Sequence, residues 1–151
     1  MLAKREADMD AAIYTREEII ARFAAGGQCA QCTLVPWADA LGYDEEELMR
    51  MAAAFAGGMF RGDTCGAVVG ALMALGLAYG DDAALTAEKT AQFQAAFLGR
   101  FGSTECRTLL GYDLSKPGEL EKARESGKML SDCADFVRFA SETLRDLLAD
   151  A

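Results

Sequence analysis

The chain has 151 residues, which suits one domain with a single core, and 52% of them are apolar. With 15 basic against 24 acidic residues the net charge is -9, the wrong sign for gripping a nucleic-acid backbone or an anionic membrane surface. Histidine is absent, which excludes imidazole general bases, Cys-His and Ser-His dyads and histidine metal ligands.

The N-terminus, MLAKREADMDAAIY, is charged and has no apolar signal-peptide core, so residues 1–12 are expected to be a loosely held segment with some helix over 3–12. Thr15-Arg16-Glu17-Glu18 is a capping box and starts the first clear helix, with Ile19, Ile20 and Phe23 on its apolar face and Gly26-Gly27 as its stop. A second helix spans about 28–41, with Pro36 inside it as a kink, and ends at Gly42. Asp44 caps a helix over about 45–55, and Glu45, Glu46 and Glu47 suit its positive end.

Gly57-Gly58 and Gly62-Asp63 predict an irregular loop around Met59 and Phe60. Cys65 to Tyr79 is the most apolar run; it is shorter than the roughly 18–20 residues of a membrane span and reads as a buried helix. Thr86 is expected to cap a helix reaching Phe101, and Ser103-Thr104 to begin a short one that carries Cys106. After Pro117 comes an exposed helix over 119–125. A long helix over 127–149 then shows an apolar stripe at Met129, Leu130, Cys133, Phe136, Val137, Ala140, Leu144, Leu147 and Leu148. Alternating patterns are nearly absent. The expected fold is all-α: a single domain over 1–151, a bundle of six or seven helices around the small-residue-rich helix 65–79.

Three of the five cysteines, Cys29, Cys65 and Cys106, fall at predicted helix starts, where free N–H groups and the helix dipole stabilise a thiolate. On that ground Cys29 is expected to have a lowered pKa. Cys133 lies inside the last helix on its core-facing side. The competing reading is that these thiols pack as small hydrophobes. Gly66 and Gly70 open a stripe of small residues that admits a neighbouring helix, leaves room for a ligand or a second sulfur beside Cys65, or does both. Cys29-Ala30-Gln31-Cys32 is a CxxC without the preceding strand of a thioredoxin-like site. An odd number of cysteines in a chain expected to be cytoplasmic argues against a static disulfide framework.

These pieces resemble a known family. Cys29-Ala30-Gln31 after the glycine turn, Phe55-Ala56-Gly57-Gly58-Met59, and Cys65-Gly66-Ala67-Val68-Val69-Gly70 resemble the C_GCAxxG_C_C family, named for redox activity. Phe101-Gly102-Ser103 with Cys106, and the isolated Cys133, resemble its remaining elements. The resemblance implies an all-helical fold and four characteristic cysteines, which by position are Cys29, Cys65, Cys106 and Cys133, with Cys32 accessory.

Three functions follow as expectations. The first is dithiol–disulfide or electron-handling chemistry with Cys29 and Cys65 as the first pair, acting on a redox partner protein or a small molecule. The second is a site in which Cys29, Cys65, Cys106 and Cys133 ligate a soft metal ion or an iron–sulfur cluster. The third is a non-enzymatic module that binds a ligand or partner along the Gly66–Gly70 face. No nucleic acid or membrane is expected as partner, no cofactor is required by the first reading, and self-association into a homo-oligomer is left open.

Overall fold

A computed structural model of the chain describes residues 9, 10 and 12–151. Among these residues nine α-helices succeed one another and there is no strand. They are α1 (Arg16–Ala24), α2 (Cys29–Leu34), α3 (Ala38–Leu41), α4 (Glu45–Ala52), α5 (Gly66–Tyr79), α6 (Ala83–Phe101), α7 (Cys106–Leu110), α8 (Glu119–Glu125) and α9 (Lys128–Leu148). The number exceeds the expected six or seven because the segment 28–41 forms two helices and the short helices around Cys106 and over 119–125 each stand alone. Pro36, which lacks the N–H that an α-helical ladder needs, divides the expected helix 28–41 into α2, a tight turn at Val35–Trp37, and α3. Most of the expected segment 3–12 lies outside the described residues; within it, Met9 and Ala12 are buried in the core.

Local signals act as the sequence suggests at two starts. The capping box is complete: the Glu18 N–H donates to Thr15 Oγ1 at 3.1 Å, and the Thr15 N–H donates to Glu18 Oε2 at 2.7 Å. Asp44 Oδ1 accepts from the Glu47 N–H at 2.9 Å. At α6 the expectation is corrected. Asp82, not Thr86, is the cap, accepting from the Leu85 N–H at 3.0 Å, and the helix starts at Ala83. Thr86 instead donates its hydroxyl to the carbonyls of Tyr79 (2.6 Å) and Asp82 (2.8 Å), which fastens α6 to the end of α5. On α9, Leu130 departs from the apolar stripe and is exposed, whereas Phe136, Val137, Ala140, Leu144 and Leu148 are buried.

At the centre lies α5, packed against α2, α6 and α9. Gly66, Ala67, Val68, Gly70, Ala71, Ala74, Leu75 and Tyr79 are all buried, as befits a helix apolar on every side. No described helix is long and apolar enough to cross a membrane. Between α6 and α9 an aromatic cluster closes the core: Phe101 meets Phe97 and Phe136 with ring centroids 4.9 Å apart, edge-on to Phe136 at 83°. Such pairs contribute about 0.5–1.5 kcal/mol beyond their buried area.

The α2–α5 contact depends on two missing side chains. A methyl group at Gly70 would sit 2.6 Å from the Ala30 carbonyl oxygen and 3.0 Å from Thr33 Cβ. At Gly66 it would collide with Cys29 Sγ and lie 2.9 Å from the Phe55 oxygen. Gly76, on the same helix, has nothing within 4 Å of its Cβ direction. Gly70→Ala should therefore destabilise the protein by about 1–3 kcal/mol through overpacking. Gly76→Ala should stabilise it by roughly 0.5–1 kcal/mol through helix propensity. Urea unfolding of the two variants checks this; a Gly70→Ala variant as stable as Gly76→Ala would mean that the helices do not meet here.

Candidate functional site

Four cysteines from four separate segments line one enclosed cavity. Cys29 is the first residue of α2, Cys65 caps α5, Cys106 is the first residue of α7, and Cys133 lies in the second turn of α9. All four border a cavity of about 30 Å³, whose remaining walls include Gly57, Gly66, Met129 and Phe136. That volume holds one or two atoms of solvent size. The walls are otherwise apolar, so the sulfurs are its main functional groups. None of the five cysteines is in a disulfide.

Each cysteine arrives by an identifiable device. Cys65 and Cys106 enter their helices from one short antiparallel bridge, Thr64 opposite Glu105. The Cys65 N–H donates to the Thr104 carbonyl at 2.8 Å and the Cys106 N–H to the Asp63 carbonyl at 2.6 Å, so the two helix starts stand side by side. Cys29 is set against Gly66, its sulfur occupying the space that a side chain there would take. Cys133 comes from α9, whose register is tied to α1 by the Arg16–Asp135 ion pair (2.8 Å) and by Arg138 donating to the Tyr14 carbonyl (3.1 Å).

A left-handed turn forms the last wall. Gly57, Gly58, Met59 and Phe60 have φ of 56°, 62°, 57° and 58°. For Met59 and Phe60 this conformation costs roughly 1–2 kcal/mol each. Surrounding bonds hold it in place. The Asp63 N–H donates to the Gly58 carbonyl at 3.0 Å. Arg107 donates to the Gly62 carbonyl at 3.0 Å and pairs with Asp63. The consequence is that Gly57 borders the cavity beside Cys29, where its N–H favours the thiolate. The sequence shows the glycines but not this handedness, because nothing in Met59 or Phe60 favours a positive φ.

Cys32 is buried but does not border the cavity. It faces the other way, 3.3 Å from the Cβ direction of Gly27 and within electrostatic range of Arg22 and Tyr14. Three residues apart on α2, the two cysteines lie about 60° apart around the helix axis and nearly one turn apart along it, and so meet different neighbours. Gly66 borders the cavity, whereas Gly70, one turn on, packs against Ala30 and Thr33.

The expectation of a lowered Cys29 pKa is overturned. Burial pushes the Cys29 thiol up, against the N–H groups of Gly57, Ala30, Cys29 and Gly66 that favour its thiolate. Burial likewise raises Cys65 to about 12, with negative charge on Cys29 adding to it and the Ala67 and Val68 N–H groups opposing. Cys106 is raised to about 12 by burial and then by Cys29, with Arg107 opposing. Cys133 is raised by burial, then by Cys29, Cys65 and Cys106. Desolvation outweighs the helix-terminus donors because the cavity excludes the water that would solvate a thiolate. The four thiols are also coupled: Cys29 enters the electrostatics of the other three.

A folded-state pKa above the unfolded value stabilises the protein fully below the unfolded pKa, and this is lost as pH rises towards the folded value. The reduced protein should keep its stability up to about pH 9 and lose it progressively as pH climbs towards about 12. Urea midpoints from pH 7.5 to 11 under a reductant measure this. The fall should be shallower in Cys65→Ala, which removes one titrating group; equal slopes in both proteins would mean that Cys65 is not buried as a thiol.

No curated protein and no solved structure matches the chain. Residues 27–147 match the family described as "Putative redox-active protein (C_GCAxxG_C_C)". The matched span runs from the glycine before Cys29 past Cys133, and so takes in all four cysteines around the cavity. The chain belongs to the C_GCAxxG_C_C family.

Proposed function

We propose that Cys29, Cys65, Cys106 and Cys133 form a dithiol–disulfide exchange site. The observation that carries this reading is their convergence on one small cavity while the fifth cysteine, Cys32, faces elsewhere. Burial of packing cysteines alone requires no such grouping, since a small hydrophobe is equally content anywhere in the core. Cys29 is the centre of the group. Backbone N–H groups of Gly57, Ala30 and Gly66 favour its thiolate, and it is coupled to each of the other three.

In this reading one thiol loses its proton and attacks a disulfide of the substrate, releasing a substrate thiolate and forming a mixed disulfide. A second cysteine then attacks that bond and releases the other half. Cys29 and Cys65 are the first pair, being neighbours at the α2–α5 contact. Since burial favours the protonated thiols, exchange is expected to be slow until substrate or local opening brings donors or water to the attacking sulfur.

Four sulfurs around one cavity are also a donor set for a soft metal ion. The volume suits a single ion rather than a multinuclear cluster. Among the described residues no three of His, Cys, Asp or Glu are gathered as a ready ligand group, so this second reading needs the sulfurs to draw inward on binding.

Mild oxidation followed by disulfide mapping tests the first reading. Two thiols should be lost together, the bond should link members of the set Cys29, Cys65, Cys106 and Cys133, and Cys32 should stay free. Metal analysis of anaerobically purified protein runs beside it. Five thiols that resist oxidation, or a bond involving Cys32, would overturn the exchange reading; stoichiometric metal held by these cysteines would favour the second.

A further inference from the structure

Beside the thiol cavity lies an open groove of about 420 Å³, within the range of small-ligand sites. The two share a wall, since Leu109 and Phe136 border both. The groove contains one cation and one anion that no ion pair consumes among the described residues. Arg100, at the end of α6, is exposed and lies over the Phe101 ring at 5.0 Å. Asp132, half-buried on α9, receives only the Ser131 hydroxyl at 3.3 Å. Asp135, which also borders the groove, is already paired with Arg16. Ser103 and Thr108 add hydroxyls to the same surface. Asp132 precedes Cys133 and is close enough to add its negative charge to that thiol's environment. A ligand held at Asp132 is thereby held near the cavity.

We propose that this groove binds a low-molecular-weight disulfide bearing both ammonium and carboxylate groups, of the amino-acid or short-peptide type, and delivers it to Cys133. The inference rests on the exchange reading above and names the substrate class of that site. Asp132 takes an ammonium group, Arg100 takes a carboxylate, and the disulfide lies against the apolar Leu109–Phe136 wall, which must part for it to meet the Cys133 sulfur on the cavity side. With the wall parted, the Cys133 thiol loses its proton to the solvent admitted from the groove and attacks one sulfur of the ligand. Its S–S bond breaks, one half leaves as a thiolate that takes up a proton, and the other half remains on Cys133. Cys29, which lines the same small cavity as Cys133, then loses its proton and attacks Cys133 Sγ. A Cys29–Cys133 disulfide forms and the second half leaves as a thiol; attack of the Cys65 thiol on Cys29 Sγ then frees the Cys133 thiol and moves the bond to the Cys29–Cys65 pair. Two protein thiols are oxidised and one disulfide is reduced to two thiols, so the electrons balance.

The test uses the reduced full chain with two oxidants of the same chemistry, glutathione disulfide and the uncharged 2-hydroxyethyl disulfide. The readout is the ratio of their rates of oxidising the protein, which cancels any general loss of folding. The ratio should fall roughly fivefold in Arg100→Ala and in Asp132→Asn, the size expected for one partly exposed charge pair. S-methylglutathione, which cannot exchange, should bind the parent in calorimetry and bind both variants more weakly. An unchanged ratio together with absent binding would overturn the proposal. Binding that the two variants weaken, with neither disulfide oxidising the parent, would leave the groove as a ligand site but overturn both delivery to Cys133 and the exchange reading.

Discussion

Helices α2 and α5 can approach as closely as they do only because Gly66 and Gly70 present no side chain. At Gly70 the opposing group is backbone, the Ala30 carbonyl, and no rotamer change could make room for a methyl. At Gly66 the opposing group is Cys29 Sγ itself. The same contact thus serves packing and chemistry. It lets the central helix sit against its neighbour, and it seats a thiol over the first turn of α5, next to the Cys65 that caps that helix. Gly70 admits the neighbouring helix, and one turn earlier Gly66 gives room to the sulfur of Cys29.

Around that contact, the remaining thiols are placed by quite different means. The bridge between Thr64 and Glu105 uses two backbone hydrogen bonds to align the starts of α5 and α7, and needs no particular side chain. The left-handed turn over Gly57–Phe60 brings a backbone N–H to Cys29 at a conformational cost, which the Arg107 contacts to Gly62 and Asp63 help to offset. Cys133 depends on the register of a long helix docked across α1, α2 and α5. The bridge and the turn meet at Asp63, whose carbonyl accepts from the Cys106 N–H and whose own N–H donates to the Gly58 carbonyl, whereas Cys133 is brought in by a separate helix.

Electrostatically the site is a contest that burial wins. Helix starts and the Gly57 turn aim N–H groups at Cys29, and Ala67 and Val68 do the same for Cys65, yet every thiol in the cavity is held above its ordinary range. A wall of Leu109 and Phe136 separates these thiols from the groove that carries Arg100 and Asp132. Within the exchange reading this arrangement keeps the thiols protonated at rest. Reactivity would then be conditional on a ligand that reaches past the wall.

Much of the fold was legible from the chain itself. Capping residues, the 3.6-residue apolar stripe of the last helix and the absence of alternation depend on neighbours within a turn or two, so α1, α4, α5 and α9 could be read directly. Pro36 announced a break, though not that it would divide the segment into three pieces. The glycine pairs, the CGAxxG motif and the positions of the cysteines at helix starts were equally plain, and with the family match they singled out the four thiols. Tertiary structure alone decided how those thiols behave. The direction in which Cys32 points, the meeting of Cys65 with Cys106 and the handedness at Met59–Phe60 arise from segments far apart in the chain. The expected lowering of the Cys29 pKa failed for the same reason: a helix start is a local feature, whereas the water excluded from a cavity is set by everything packed around it.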